Sequence, residues 1–451
     1  MTIADAIEHY HSLLTGSLLD NAGEALHKAT TGQNLSFRSR PVCSVLRPFF
    51  MPLSHYRPIK EQTEVILSAI RKVGEALTHH PSLRSALGLT PAEERLIEID
   101  PGYFGPDASG RMDGFPDSQG KIRFIEYNAD SPGGLLFGEA LGDVFMGMEI
   151  MRVFSRRYPV RAFAIRAQLT RTLIDCFREW RYYSSHDLPH IAIVDWEGVA
   201  TRQEFEICRE YFASRGIPAI VTTPEALEYR GGWLRAGDFR INLIYKRVVL
   251  TEFLERYGLD HPMVRAVKDR AVCLVNGFRV QALTQKSLFA VLDDPAFEHL
   301  FSAQEIATLR RHLPWTRALR EGAATYHGRR IDLLEFVATH REELVLKPSA
   351  HYGGRGVVLG WQCDDDQWRR KLVEALGARF VVQERIDIPQ QTFPVIDERG
   401  VRLEHRFHDF SPYTWRGDLA EGAGIRLSSS AMLNVTAGGG SATPLMILAD
   451  M

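Results

Sequence analysis

Between about residues 186 and 275 the chain alternates short apolar runs with amphipathic helical ones, and that rhythm restricts the fold more than any other feature. "HIAIVDW" reads as a strand and "TRQEFEICREYFASRG" as a helix closed by Gly216. "IPAIVTT" reads as a second strand and, after a variable stretch, "INLIYKRV" as another. Strands joined through helices run parallel with right-handed crossovers, so the segment predicts a parallel α/β unit.

At 451 residues the chain exceeds what one hydrophobic core usually serves, so two or three domains are expected. The first hundred residues read mostly as helix. In "EQTEVILSAIRKVGEAL", Val65, Ile66, Ala69, Ile70, Val73 and Leu77 keep helical spacing. "PGYFGPDASGRMDGF" breaks the pattern, and "GRMDGF", the polar turn "PDSQG" and "KIRFIEYN" predict a β-hairpin. Helix returns to about residue 185. After the α/β unit, "QALTQKSLFAVLDD" and the segment to Thr339 read as largely helical. "ELVLKPS", "GGRGVVLGW", "RFVVQERI" and "VRLEHRFHDF" then predict four strands of one antiparallel sheet. The fold class is α/β in the broad sense, with an α+β portion.

Lys plus Arg (54) nearly balances Asp plus Glu (56), which leaves no field favouring nucleic acid or an anionic membrane as partner. The most basic stretch, Arg152 to Arg171, reads as a solvated helix face, with a phosphate-facing patch as the alternative. Five cysteines are scattered without a C-x-x-C pair, which argues against disulfides or a zinc site and suits a reducing compartment. No apolar run reaches the roughly 18 to 20 residues of a membrane helix. The opening "MTIADAIEHYHSLL" lacks the cationic and then apolar character of a signal peptide. A cytoplasmic protein is expected.

Five constellations could carry chemistry. Glu126 and Asn128 end an apolar strand one residue apart and share a face, with Asp113 on the partner strand. Two carboxylates and an amide oxygen make the hard donor set that Mg²⁺ prefers; the alternative is a solvated polar strand end. Lys347 ends another apolar strand, and Gly353, Gly354 and Gly356 follow in a loop whose amides could crowd an anion. That loop is neither a Walker loop nor a dinucleotide fingerprint, because strands follow it. Gln383 and Glu384 end a third strand. Lys286 begins an apolar helix and reads by itself as a surface lysine. Arg426 could clamp a carboxylate or phosphate, and Asn434 with Gly438 to Gly440 reads as a loop closing over a ligand.

Taken in order, "RMD…IEYNADSPGG", "LIYKR", "QKSLFAVL", "LVLKPSAHYGGRGV", "VVQERI" and "RLSSSAMLNVTAGGG" resemble the circularly permuted ATP-grasp ligases, the group of glutathionylspermidine synthetase and eukaryotic glutathione synthetase. The match runs from about residue 85 to the end. In ordinary ATP-grasp enzymes the metal-binding acids follow the nucleotide lysines; here "EYN" precedes "LVLKPS". The resemblance implies five segments. These are a helical region 1–110, a first catalytic part 111–185 with the metal hairpin, a substrate-binding α/β domain 186–275, a helical subdomain 276–345 and a nucleotide-binding subdomain 346–451. It implies that Asp113, Glu126 and Asn128 hold two Mg²⁺ against ATP, and that Lys286 and Lys347 contact phosphate and adenine-side groups. The three flap glycines would cap the phosphates, and Gln383 and Glu384 would line the nucleoside pocket. Arg111 would stabilise the moving phosphoryl group, and Arg426 the acyl phosphate or an acceptor carboxylate. The implied activity is ligation of a carboxylate to an amine, an amino acid or peptide among them, through an acyl phosphate. A phosphotransferase and a non-catalytic ATP-binding protein are the alternatives.

Overall fold

The computed structural model describes every residue except 1, 33–34, 38–39, 118–120, 182–186, 352, 398–399, 432, 434–439 and 450–451. Three larger sheets organise the described chain. The first is antiparallel, in the order Gln390–Asp397, Gly400–His408, Leu419–Ser428, Ser411–Trp415, Ser109–Pro116, Ile122–Asn128, with Gly440–Thr443 also pairing to Leu419–Ser428. The amphipathic helix Leu53–Ala76 packs across Leu419–Ser428 and buries Ile66, Ala69, Ile70 and Val73, as their spacing predicts.

The second sheet is the parallel unit, in the order Cys273–Val275, Leu243–Lys246, Ile191–Val194, Ala219–Thr222. Its apolar run is buried on both faces. Ile191 and Ile193 pack with Phe177, Phe205 and Phe212 on one side, while Ala192 and Val194 meet Phe253 and Met263 on the other. The variable stretch is an antiparallel meander, Leu227–Arg230, Trp233–Ala236 and Phe239–Ile241.

The third sheet is antiparallel, in the order Thr316–Ala318, Phe380–Glu384, Leu344–Pro348, Val358–Leu359, over a core of Trp315, Phe336, Val337, Leu346, Trp368 and Val382. Two expectations need correction here. The segment to Thr339 is helical through His312 and again over Leu333–Thr339, but between them it contains Thr316–Ala318 and the hairpin Ala323–Tyr326 with Arg329–Asp332. His327 (φ 45°) and Gly328 (φ 80°) supply the two left-handed residues of that tight turn. The fourth expected strand, Gly400–His408, belongs to the first sheet, because its hairpin mate Gln390–Asp397 and the strand Leu419–Ser428 claim its two edges.

Among the described residues, no helix is long and apolar enough to cross a membrane. All five cysteines are free thiols, four of them buried.

Candidate functional site

The hairpin Ser109–Pro116/Ile122–Asn128 presents four polar side chains as a square. Residues two apart on a strand share a face, and the register sets Asp113 opposite Glu126 and Arg111 opposite Asn128. Tyr127 points the other way, where its buried hydroxyl donates to Asp107 Oδ2 at 2.6 Å. A β-bulge follows: Gly114 pairs with Phe124, so Ile125 is skipped. The Ile125 carbonyl accepts from the Gln383 amide at 3.3 Å and lies 3.5 Å from Lys347 Nζ, joining the third sheet to the hairpin.

Arg111 clasps Asp113 with Nε to Oδ1 at 2.6 Å and Nη2 to Oδ2 at 3.0 Å. Arg426 donates to the same carboxylate, Nη2 to Oδ2 at 2.7 Å. Arg426 is itself braced by Asp409, which accepts its backbone N–H at 2.6 Å and its Nε at 2.5 Å. Burial works to raise the Asp113 pKa, but the two guanidinium groups outweigh it and the carboxyl lies well below the usual range. Asp409 goes the other way, since burial exceeds the help it draws from Arg426.

Lys286 is not a surface lysine. It precedes the helix Ser287–Leu292 and is 9 % exposed; its Nζ donates to the His351 carbonyl at 2.6 Å and lies 3.3 Å from Glu126 Oε2. Asn128 donates to Glu126 Oε1 at 3.2 Å. Burial pushes the Glu126 pKa up, but Lys286, Lys347 and Arg426 together bring it below its ordinary value. Gln383 is buried, its side chain accepting from Lys347 Nζ at 2.5 Å and donating to Thr316 Oγ1 at 3.0 Å. Glu384 faces the 323–332 hairpin, accepting from Tyr326 OH at 3.3 Å and lying 3.0 Å from His327 Nε2.

Gly353, Gly354 and Gly356 all have positive φ, and a Cβ on Gly356 would come within 2.8 Å of the Pro348 ring. The flap therefore folds tightly back onto the end of the strand Leu344–Pro348 that carries Lys347. Asn434, Gly438 and Gly439 lie outside the described residues; Gly440 opens a strand and not a loop.

Burial pushes Lys347 down to about 8, with Glu126 opposing the shift. Its positive charge is complete well below that pH and is lost as pH rises through it. If the chain turns over ATP and Lys347 meets its phosphates, kcat/KM for ATP falls above about pH 8. Lys347→Arg, whose charge persists, flattens that limb of the profile. A pH–rate series on both proteins checks this, and an unchanged limb in the arginine variant refutes it.

Can these residues hold a metal? Among the described residues, no group of three acids, histidines or cysteines could do so alone. Asp113 and Glu126 supply two carboxylates and Asn128 an amide, while Arg111, Arg426, Lys286 and Lys347 crowd the same space. Even with Asp409 included, cations outnumber carboxylates four to three. A bare divalent ion is poorly served there, but one arriving with phosphate oxygens fits both the donors and the surplus positive charge.

A second polar group lies at the carboxyl ends of the parallel strands. The sheet order reverses between Ile191–Val194 and Leu243–Lys246, the position where open α/β sheets bind ligands. Asp195 and Arg247 follow those two strands. Burial lifts Asp195 to about 6, against the pull of Arg247. Arg247 is 4 % exposed, yet among the described residues its side chain makes one hydrogen bond, Nη1 to Tyr245 OH at 3.2 Å; its buried Nε has no partner there, and no ion pair holds it. Beside it, the buried Lys246 ammonium pairs with Asp130, which also accepts Leu250 N–H at 2.8 Å. Asp195, Asp409 and the 130–246 pair were absent from the sequence-level set. The quoted runs "NADSPGG" and "LIYKR" contained Asp130 and Lys246, but only tertiary packing makes them partners.

No family model matches the chain, and no curated protein matches it. Among solved structures it superposes on a glutathione synthetase-like effector, GSS30, from Globodera pallida in its apo form. The TM-score is 0.57 at 12 % identity, over 95 % of this chain and 96 % of that one. The chain shares the fold of that effector. It is a mixed α/β architecture built largely on antiparallel sheets, and the likeness is in the fold, end to end.

Proposed function

We propose that the chain is an ATP-dependent carboxylate–amine ligase of the circularly permuted ATP-grasp kind. ATP's γ-phosphoryl group passes to a substrate carboxylate, an amine displaces phosphate from the acyl phosphate, and ADP and phosphate leave. One observation carries the reading. The hairpin acids and the flap lysine strand are 222 residues apart in sequence, yet Lys347 lies 3.5 Å from Ile125 O, inside the same cluster as Asp113, Glu126, Asn128, Arg111, Arg426 and Lys286. The five-segment division of the chain and a cytoplasmic setting belong to the same reading.

In it, Asp113, Glu126 and Asn128 hold Mg²⁺, which when bound neutralises charge on the phosphates. Lys286 and Lys347 bind phosphate oxygens, with the glycine turn closing over them. Gln383 locks Lys347 in place, and Glu384 borders the nucleoside. Arg111 and Arg426, both aimed by Asp113, stabilise charge where the phosphoryl group moves. Arg247 and Asp195 suit the carboxylate and ammonium of an amino acid or peptide end, since a buried guanidinium without a carboxylate favours acquiring one.

The test is a screen of amino acids, short peptides and amines for ADP release, with the product read by mass spectrometry. The reading expects ADP only when acid and amine are both present, and a product heavier than the acid by the amine less water. ADP release that needs no amine would point to a phosphotransferase, and nucleotide binding without turnover to a binding protein; either would overturn ligation.

A further inference from the structure

The helix Leu135–Gly147 begins at Gly134, whose φ of 84° marks a left-handed turn and which has no side chain to cap the helix. The cap comes from the parallel unit. Glu204, on helix Arg202–Ser214 and 4 % exposed, accepts Gly134 N–H on Oε2 at 2.9 Å and Leu136 N–H on Oε1 at 3.1 Å. One residue earlier, the Gly133 carbonyl accepts Arg111 Nη1 at 2.6 Å, and Tyr413 OH donates to the Gly134 carbonyl at 3.0 Å. The third guanidinium nitrogen of Arg111, the one Asp113 does not hold, is thus placed by a two-glycine turn that Glu204 anchors. The neighbour of Glu204, Phe205, packs 5.5 Å from the Arg247 guanidinium.

We propose that Glu204 is a positioning residue for Arg111, linking the substrate-facing edge of the parallel unit to the phosphoryl-transfer centre. The inference rests on Arg111 acting at that centre. Two glycines cannot hold a turn by packing, so without the carboxylate the turn keeps only the Tyr413 bond to the Gly134 carbonyl among the side-chain bonds described, and the Gly133 carbonyl holds Arg111 Nη1 less firmly. A shift of about 1 Å at such a group can cost roughly a hundredfold in rate.

The test is a double-mutant cycle of Glu204→Gln and Arg111→Lys on the full chain, read by ADP release and by the Kd for Mg-AMPPNP. Glu204→Gln should lower kcat roughly tenfold to a hundredfold with KM for ATP and the Kd within about twofold, and Glu204→Asp should recover part of the loss. In the Arg111→Lys background the same change should cost nothing more. Additive losses, an unchanged kcat, or a parallel rise in the AMPPNP Kd would overturn the proposal. A readout free of turnover is solvent exchange of the Arg111 Nη1 protons, whose acceptor is the Gly133 carbonyl, expected to quicken about tenfold in Glu204→Gln; no change there overturns the link to Arg111. If the wild-type chain releases no ADP with any acid and amine, ligation fails as a reading, and the exchange measurement still decides the role of Glu204.

Discussion

Glu126→Ala is expected to cut ADP release by roughly three orders of magnitude while leaving the fold unchanged. The carboxylate faces Asp113 across the hairpin, and its partners are the Asn128 amide and the Lys286 ammonium. Its side chain is 22 % exposed, so truncation opens no sealed cavity, and stability should change by less than about 1 kcal/mol. Lys286 keeps its bond to the His351 carbonyl. What disappears is one of two acids able to hold a divalent ion against phosphate. Glu126→Gln, which keeps the shape and removes the charge, should fall nearly as far. Single-turnover ADP formation and a urea midpoint on each variant provide the check; undiminished turnover in Glu126→Ala would remove the metal assignment.

Asp130→Ala should damage the fold more than any surface change. Lys246 is fully buried, and its ammonium pairs with Asp130, leaving otherwise, among the described residues, only the Val248 carbonyl at 3.4 Å. Removing the acid strands a buried charge and also frees Leu250 N–H, for an expected loss of about 3–5 kcal/mol. Replacing both partners, Asp130→Leu with Lys246→Met, should recover most of that loss, because an apolar pair does not have to be desolvated. Denaturant unfolding of the three proteins measures it. A cost below about 1 kcal/mol for Asp130→Ala would mean that solvent reaches the pair.

Elements with a strong local pattern could be read directly from the sequence. The parallel unit, the long helix 53–76 and the metal-type hairpin all declare their period within a few residues. Because side chains alternate, the shared face of Glu126 and Asn128 was readable too. The bulge at Ile125 was not, and neither was the register that puts Asp113 opposite Glu126. Those depend on what packs behind the strand, such as Tyr127 against Asp107. Lys286 illustrates the limit: a lysine heading an apolar helix has the local signature of a surface residue, and only its distant partners, Glu126 and the His351 carbonyl, bury it. Asp409, Arg247 and Glu204 are lone polar residues in ordinary surroundings, and their meaning lies wholly in who faces them. The short strands between 316 and 332 were hidden by weak patterning, although "YHGR" carried a turn signal.

The bond from Arg426 to Asp113 spans 313 residues, and the strands beneath it belong to one sheet assembled from widely separated parts of the chain. Local helices can form early during folding, whereas this sheet must wait for its late strands. A half-folded molecule therefore carries the hairpin acids without the Arg426 guanidinium that completes them, and on the proposed function it would be unable to spend ATP wastefully. Turnover would then report finished folding.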